Sequence, residues 1–288
     1  MDLQQLAMQV ARVAQDAGQH AAQDQLTPHA VAIDSEETER LDKEKYTSDV
    51  DDNVVRYLRE KITEINPLDG FWEEVGSQRT PGAYYWCIGR IDGSLNYMRN
   101  MPEWTITVSI FSIDEQGQAT PVMGVVHAPA LNVTYVAARG YGAIRIRRSA
   151  IGDKREAIMP TTKSTLKNSV VSFGMSYFAS ESKRALYTVS ALAGLPSDIK
   201  RVGPTSLDLC KVADGTYDAY FEPSLHSWDI PAVSAATVVV WEAQGRLRQW
   251  DGSEISWYHT NDVVASNGVI MDELGQYLQE DIHTDHAE

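Results

Sequence analysis

The sequence predicts an α+β / α/β protein in two halves, a β-rich α+β half over residues 1–150 and an α/β half over residues 151–288. Three observations carry this reading. Apolar residues recur at helical spacing twice within the first 65 residues, alternating aromatic segments follow over 104–148, and strand-like and helix-like segments alternate from about 169 onward.

Leu3, Leu6, Val10, Val13 and Ala17 fall on one helical face, which predicts an amphipathic opening helix ending near Gly18. Residues 19–47 show no clear periodicity. Val54, Leu58, Ile62 and Ile65 mark a second helical face beginning at Asp51; Asp49, Asp51 and Asp52 suit its N-terminus and Pro67 ends it. WTITVSIFSI (104–113), VMGVVHAP (122–129) and VTYVAARGYGAIRIRR (133–148) read as strands of an antiparallel sheet. Gly140 and Gly142 mark a turn there, not a phosphate loop. The polar, turn-rich stretch 149–168 is expected to separate the halves. Beyond it the order is strand (169–175), helix (181–193), strand (199–202), helix (205–213), strand (217–221), helix (229–242), strand (263–266) and helix (270–279).

At 288 residues and 43% hydrophobic content the chain is long enough for a sizeable core, which excludes disorder as its main state. There is no run of about 18 apolar residues, and the first 18 residues lack the basic opening of a signal peptide, so a cytoplasmic protein away from membranes is expected. Cys87 and Cys210 stand alone and read as buried apolar residues. The net charge of −15 argues against a nucleic-acid partner. It is local: residues 1–75 carry −10, the tail 272–288 carries −6, and everything between sums to +1. The basic run RIRRS (145–149) suits an exposed strand end, and HTDH (283–286) a disordered terminus.

Three acidic clusters sit at junctions between elements, where side chains converge on sites. They are Glu73 and Glu74 in FWEEVG, Asp92 in IGRIDGSLNY, and Asp229 in HSWDIPA. Singly, each has a plain reading: a solvated loop acid, an Asp-Gly turn, a helix cap. Brought together they would repel one another unless a cation intervened, and oxygen ligands favour Mg²⁺ or Ca²⁺ over zinc. Gly93 and Ser94 place a small residue and a hydroxyl directly after Asp92, where a helix start would turn amides toward a phosphate. Such parts suit metal-assisted hydrolysis of a phosphate ester.

The segment IDGSLNYMRNMPEWTITVSI resembles the signature DPIDGTxNF…P…..SI of the inositol monophosphatase family, and SLHSWDIPAVSAATVVVWEAQGRL resembles that family's second signature, WDxAAxxxxxxEAGG. Two intervening blocks, GVVHAPALNVTYVAARGYGAIRI and KRVGPTSLDLCKVADGTYDAYFEPSLHSWD, agree in order and spacing. FWEEVG stands where the family has GEES, and TSDVDDNVVRYLREKI where it has its long N-terminal helix, so the likeness covers roughly residues 45–270. It implies a layered αβαβα sugar-phosphatase fold, Mg²⁺ as cofactor at two or more sites, a homodimer, and a small polyol or sugar phosphate ester such as inositol 1-phosphate as substrate. The metal ligands it implies are Glu73, Asp92, Asp229 and the carbonyl of Ile91. By the same likeness, Asp51 and Ser94 correspond to the pair that orients and deprotonates the attacking water, with Glu73 grouped beside them as catalytic. Glu222 corresponds to the acid that meets substrate hydroxyls, Gly203 and Thr205 to a loop facing the substrate, and Gly93 and Asp229 also border it.

One departure stands out. Where the family signature opens with an Asp bridging two metals and then Pro, this chain has Gly89 and Arg90. Loss of a shared ligand is expected to weaken metal sites and impair catalysis. Arg90 is either a solvated surface charge or a stand-in for a metal's charge. Val75, Trp72 and Pro204 are lesser departures. Alternatives to the first reading are a catalytically silent binding or regulatory module, and a phosphatase for histidinol phosphate, an adenosine bisphosphate or fructose 1,6-bisphosphate. The apolar stretch 97–111 suits a dimer contact or a sheet core equally.

Overall fold

The protein is described from a computed structural model, which covers residues 1–26, 49–75, 79–176 and 178–278. The segment HTDH lies outside the described residues.

Helix α1 (Leu3–Gln25) starts at Asp2, whose Oδ1 accepts the Gln5 N–H at 2.9 Å. It buries Leu6, Val10, Ala14, Ala17 and Ala21 and does not end near Gly18 as the sequence suggested. Gly18 marks a close approach instead: a Cβ there would lie 2.6 Å from atoms of His127 and Pro129. Helix α2 (Asp49–Ile65) packs beside it, burying Val54, Leu58 and Ile62.

The first sheet is an antiparallel run in chain order of β1 (Tyr84–Ile88), β2 (Ile106–Ile113), β3 (Ala119–Ala128), β4 (Val133–Ala138), β5 (Ala143–Ser149) and β6 (Gly152–Ala157). β1 and β6 were not foreseen. β6 lies in the polar stretch expected to divide the halves, because an edge strand with nearly every residue exposed carries no hydrophobic alternation. The first sheet therefore extends to Ala157. At the β4–β5 turn the amides of Gly140 and Gly142 donate to the Glu242 carboxylate, at 3.0 and 2.8 Å, confirming a structural turn. Between β1 and β2 lies the five-residue helix α3 (Ser94–Met98).

The second sheet is mixed. β7 (Val170–Phe173) runs parallel to both β8 (Asp198–Lys200) and β9 (Ala219–Leu225); β9 pairs antiparallel with β11 (Asn261–Ser266), and β11 with β10 (Arg246–Arg248). The connecting helices are α4 (Ala179–Ala191), α5 (Thr205–Ala213), α6 (Ile230–Glu242) and α7 (Met271–Gly275). Three cores result. α1 and α2 cover one face of the first sheet, α5 and α6 fill the space between the sheets, and α4 and α7 cover the far face of the second. This is the expected αβαβα layering.

Within the stretch 97–111, Trp104, Ile106, Val108, Ile110 and Phe111 are buried in the core of the first sheet, while residues 99–102 are exposed. Both cysteines are buried thiols. No helix among the described residues is long and apolar enough to cross a membrane.

α6 is buried around its whole circumference from Pro231 to Val240, and it touches β3 so closely that a Cβ on Gly124 would come well under 3.0 Å from the Ala235 carbonyl oxygen. Ser109 Oγ and Ser234 Oγ share a 2.7 Å hydrogen bond across the same seam. Gly124→Ala is therefore expected to destabilise the protein by about 3 kcal/mol, the upper range for overpacking against backbone that cannot move aside. Urea unfolding monitored by circular dichroism checks this, and a loss below about 0.5 kcal/mol would contradict the contact.

Candidate active site

A cavity of about 410 Å³ opens where α2, the turn after Phe71, the end of β1, the start of α3 and the start of α6 meet. Asp51, Val55 and Arg59, spaced four apart along one face of α2, form one wall. Glu73, Gly89, Arg90, Ile91, Asp92, Gly93, Ser94 and Asp229 complete most of the rest.

Each acid is held by a backbone N–H. Asp51, 1% exposed, accepts from Ile91 at 2.8 Å. Glu73 Oε1 accepts from Ile88 at 3.0 Å, Asp92 Oδ2 from Ser206 at 2.9 Å, and Asp229 Oδ2 from His226 at 2.9 Å. That last contact closes a 3₁₀ turn (Ser227–Asp229) ahead of α6, so Asp229 does not cap α6 itself. Gly93 adopts φ +83°, a left-handed entry to α3 that a side chain would strain. Ser94 Oγ donates to the Ile91 carbonyl at 3.3 Å.

The Arg59 guanidinium stands 3.6 Å from Glu73 Oε2 while pairing with Glu74 and covering the Phe71 ring. Burial nevertheless raises the Glu73 pKa above the ordinary value, outweighing the backbone hydrogen bonds and Arg59, which lower it. Arg90 borders the cavity and reaches Asp52 at 3.3 Å with half its side chain exposed, a solvated surface pair of little energetic weight.

The remaining predicted residues form a second cluster behind Asp92 and Asp229. Glu222 Oε2 accepts from Thr205 Oγ1 at 2.7 Å and from the Tyr220 hydroxyl at 2.6 Å. Gly203 lets the chain pass Asn96 so closely that a Cβ would collide with the amide nitrogen. Glu222 has its pKa pushed up to about 7, first by burial and then by the negative charge of Asp229; the bonds from Tyr220 and Thr205 oppose this. Among the described residues, no three His, Cys, Asp or Glu side chains converge closely enough to hold one ion as they lie.

Residues 2–283 match the inositol monophosphatase family. The chain belongs to this family. A histidinol-phosphatase from Mycobacterium tuberculosis is 32% identical over 231 residues, covering 79% of this chain and 82% of that protein. A protein named putative Nus factor SuhB, from Neisseria meningitidis, is 29% identical over 245 residues, covering 84% and 87%. A solved inositol monophosphatase from Anabaena superposes with a TM-score of 0.74 over 96% of both chains, at 24% identity, which supports the fold alone.

Within this inositol monophosphatase fold, sequence reasoning missed Arg59 and Tyr220. Arg59 was findable, since it sits two turns beyond Asp51 on the same face; Tyr220 is an ordinary strand residue without a local signal.

Glu222 supplies a signed test. Its folded pKa of about 7 exceeds the ordinary 4.5, so the folded state holds the proton more tightly and stability is lost as pH rises from 4.5 to 7. In EDTA, Glu222→Gln is expected to have a higher Tm than the wild type at pH 8 and no advantage at pH 4. Equal wild-type and variant profiles across that range would contradict the raised pKa.

Proposed function

We propose that this chain is a Mg²⁺-dependent phosphomonoesterase acting on a small polyol or sugar phosphate, inositol 1-phosphate being one example. The observation that carries the reading is the cavity that Asp51, Glu73, Asp92 and Asp229 share with Ile91 and Ser94. The donor set is hard oxygen, which fits Mg²⁺, and Glu73, Asp92, Asp229 and the Ile91 carbonyl would hold it. When bound, the cation lowers the pKa of water and neutralises phosphate charge.

The chain's own residues do the rest. Asp51, fixed by the Ile91 N–H, accepts a proton from the attacking water, and the Ser94 hydroxyl turns from the Ile91 carbonyl to orient it. Gly93 lets the backbone pass close to the phosphate. Glu222, Thr205 and Gly203 border the leaving group. Glu222, part protonated near neutrality, accepts or donates a hydrogen bond to a hydroxyl and disfavours a second phosphate. A hydroxylated or amine-bearing alcohol fits this better than a bisphosphate, and the relative named histidinol-phosphatase keeps an amine within range. A homodimer in the cytoplasm completes the reading, by resemblance to the family.

A second reading, a catalytically weak or silent module, is favoured by the absence of three convergent ligating side chains among the described residues and by glycine at position 89. The relative named as a putative Nus factor is compatible with it.

Hydrolysis of inositol 1-phosphate, histidinol phosphate and fructose 1,6-bisphosphate, with Mg²⁺ titrated to millimolar levels, separates the two. Turnover of a monoester that falls on the order of 10²–10³-fold in Asp92→Asn is expected. No turnover across the panel, with no calorimetric Mg²⁺ binding, would leave the silent reading standing.

A further inference from the structure

We propose that Thr107 limits the cation capacity of the cavity by closing the space at Gly89, so that this residue pair, and not Gly89 alone, sets how many ions the site takes. The proposal rests on the metal-dependent reading above.

Gly89 follows β1 and donates its N–H to the Thr107 carbonyl at 3.1 Å, which locks the two backbones together. A Cβ built on Gly89 would come well under 3.0 Å from Thr107 Oγ1 and 3.3 Å from the Cβ of Pro231. Neither neighbour yields readily. Thr107 is fully buried at the start of β2, where a β-branched side chain has little freedom about χ1, and Pro231 is fixed in the first turn of α6.

The hydroxyl is also an anomaly in its own right. Thr107 Oγ1 is buried and has no hydrogen-bond partner among the described residues, which is costly for a polar atom. Its shape and not its hydrogen bonding matches Gly89. The likeness to the family places a bridging carboxylate at position 89; with Thr107 beneath it, even the first carbon of that side chain has no room. The two residues are therefore complementary, and a carboxylate gained at 89 requires the γ atoms lost at 107. Thr107 is a positioning residue, acting through position 89.

The test uses the full chain as wild type, Gly89→Asp, Thr107→Ala, and Gly89→Asp combined with either Thr107→Ala or Thr107→Val. Two readouts are taken: Tm in EDTA, and Mn²⁺ binding counted by electron paramagnetic resonance. In EDTA, Gly89→Asp is expected to lower Tm by several degrees. Adding Thr107→Ala recovers most of that loss, whereas adding Thr107→Val does not, because valine keeps a branch where the hydroxyl stood. Mn²⁺ affinity or stoichiometry rises, by about tenfold in affinity, only in the Gly89→Asp, Thr107→Ala protein. Gly89→Asp alone matching the wild type in Tm and the double variant in Mn²⁺ binding overturns the proposal, as does recovery by valine. Wild-type Mn²⁺ binding tests the metal-dependent reading separately: if it is absent there and gained in the double variant, the pairing holds and that reading fails.

Discussion

The seating of α6 between the two sheets is the constraint on which the rest depends. A helix apolar on every side has no face to give to solvent, so both sheets must cover it. It lies close enough to β3 that only glycine fits at 124, and a serine pair ties the same seam to β2. The consequence for the site is positional. With its body fixed, the N-terminal end of α6 delivers Asp229 and Pro231 to the cavity at a set height above the end of β1. Thr205 on α5, in the same layer, and Glu222 on β9 in the second sheet lie nearby, close enough for the charge of Asp229 to act on Glu222.

Holding so many carboxylates near one another needs compensation, and the structure shows two forms of it. The first is local: Asp51, Glu73, Asp92 and Asp229 each accept a backbone N–H. Such bonds favour the charged form and fix the side chains against mutual repulsion. The second is a resident cation. Arg59, anchored on Phe71 and Glu74, stands beside Glu73, whose pKa burial raises. An ion entering near Glu73 would therefore meet a carboxylate already faced by a guanidinium, on the side of the cavity where position 89 has no side chain.

Much of this was legible in the sequence, for a physical reason in each case. The second helix, the three long central strands and the alternating second half carry apolar periodicity, because each buries one or both faces. The elements that escaped lack it or are short: β6 is an exposed polar edge, β10 has three residues, α3 has five, and β1 is a five-residue apolar run with no alternation. The misplaced end of α1 shows glycine's ambiguity, since the residue that commonly stops a helix also permits the closest packing against His127 and Pro129. In the site, the acids announced themselves by type and by resemblance. Arg90 pairs with Asp52 at the rim of the cavity, a partner one sequence cannot pick out, and Tyr220 is an ordinary tyrosine until its hydroxyl is found on Glu222.

The acidity of the chain also takes a different meaning in three dimensions. Counted along the sequence, the middle of the chain is close to neutral, yet it supplies Asp92, Glu222 and Asp229 to one region and buries Asp208 beneath them. Asp208 has its pKa pushed up to about 6, chiefly by burial, while Lys211 and the Ser172 hydroxyl hold it down and the charge of Asp92 adds to the rise. Together with Glu222 at about 7, the region contains two carboxyls that titrate close to neutrality. Its net charge near pH 7 is therefore adjustable: a cation or a protonated amine brought to the cavity would favour ionisation of these acids, and a phosphate arriving alone would favour their protonation. A site with glycine at position 89 thus keeps negative charge in reserve one layer deeper, on groups that respond to what occupies it.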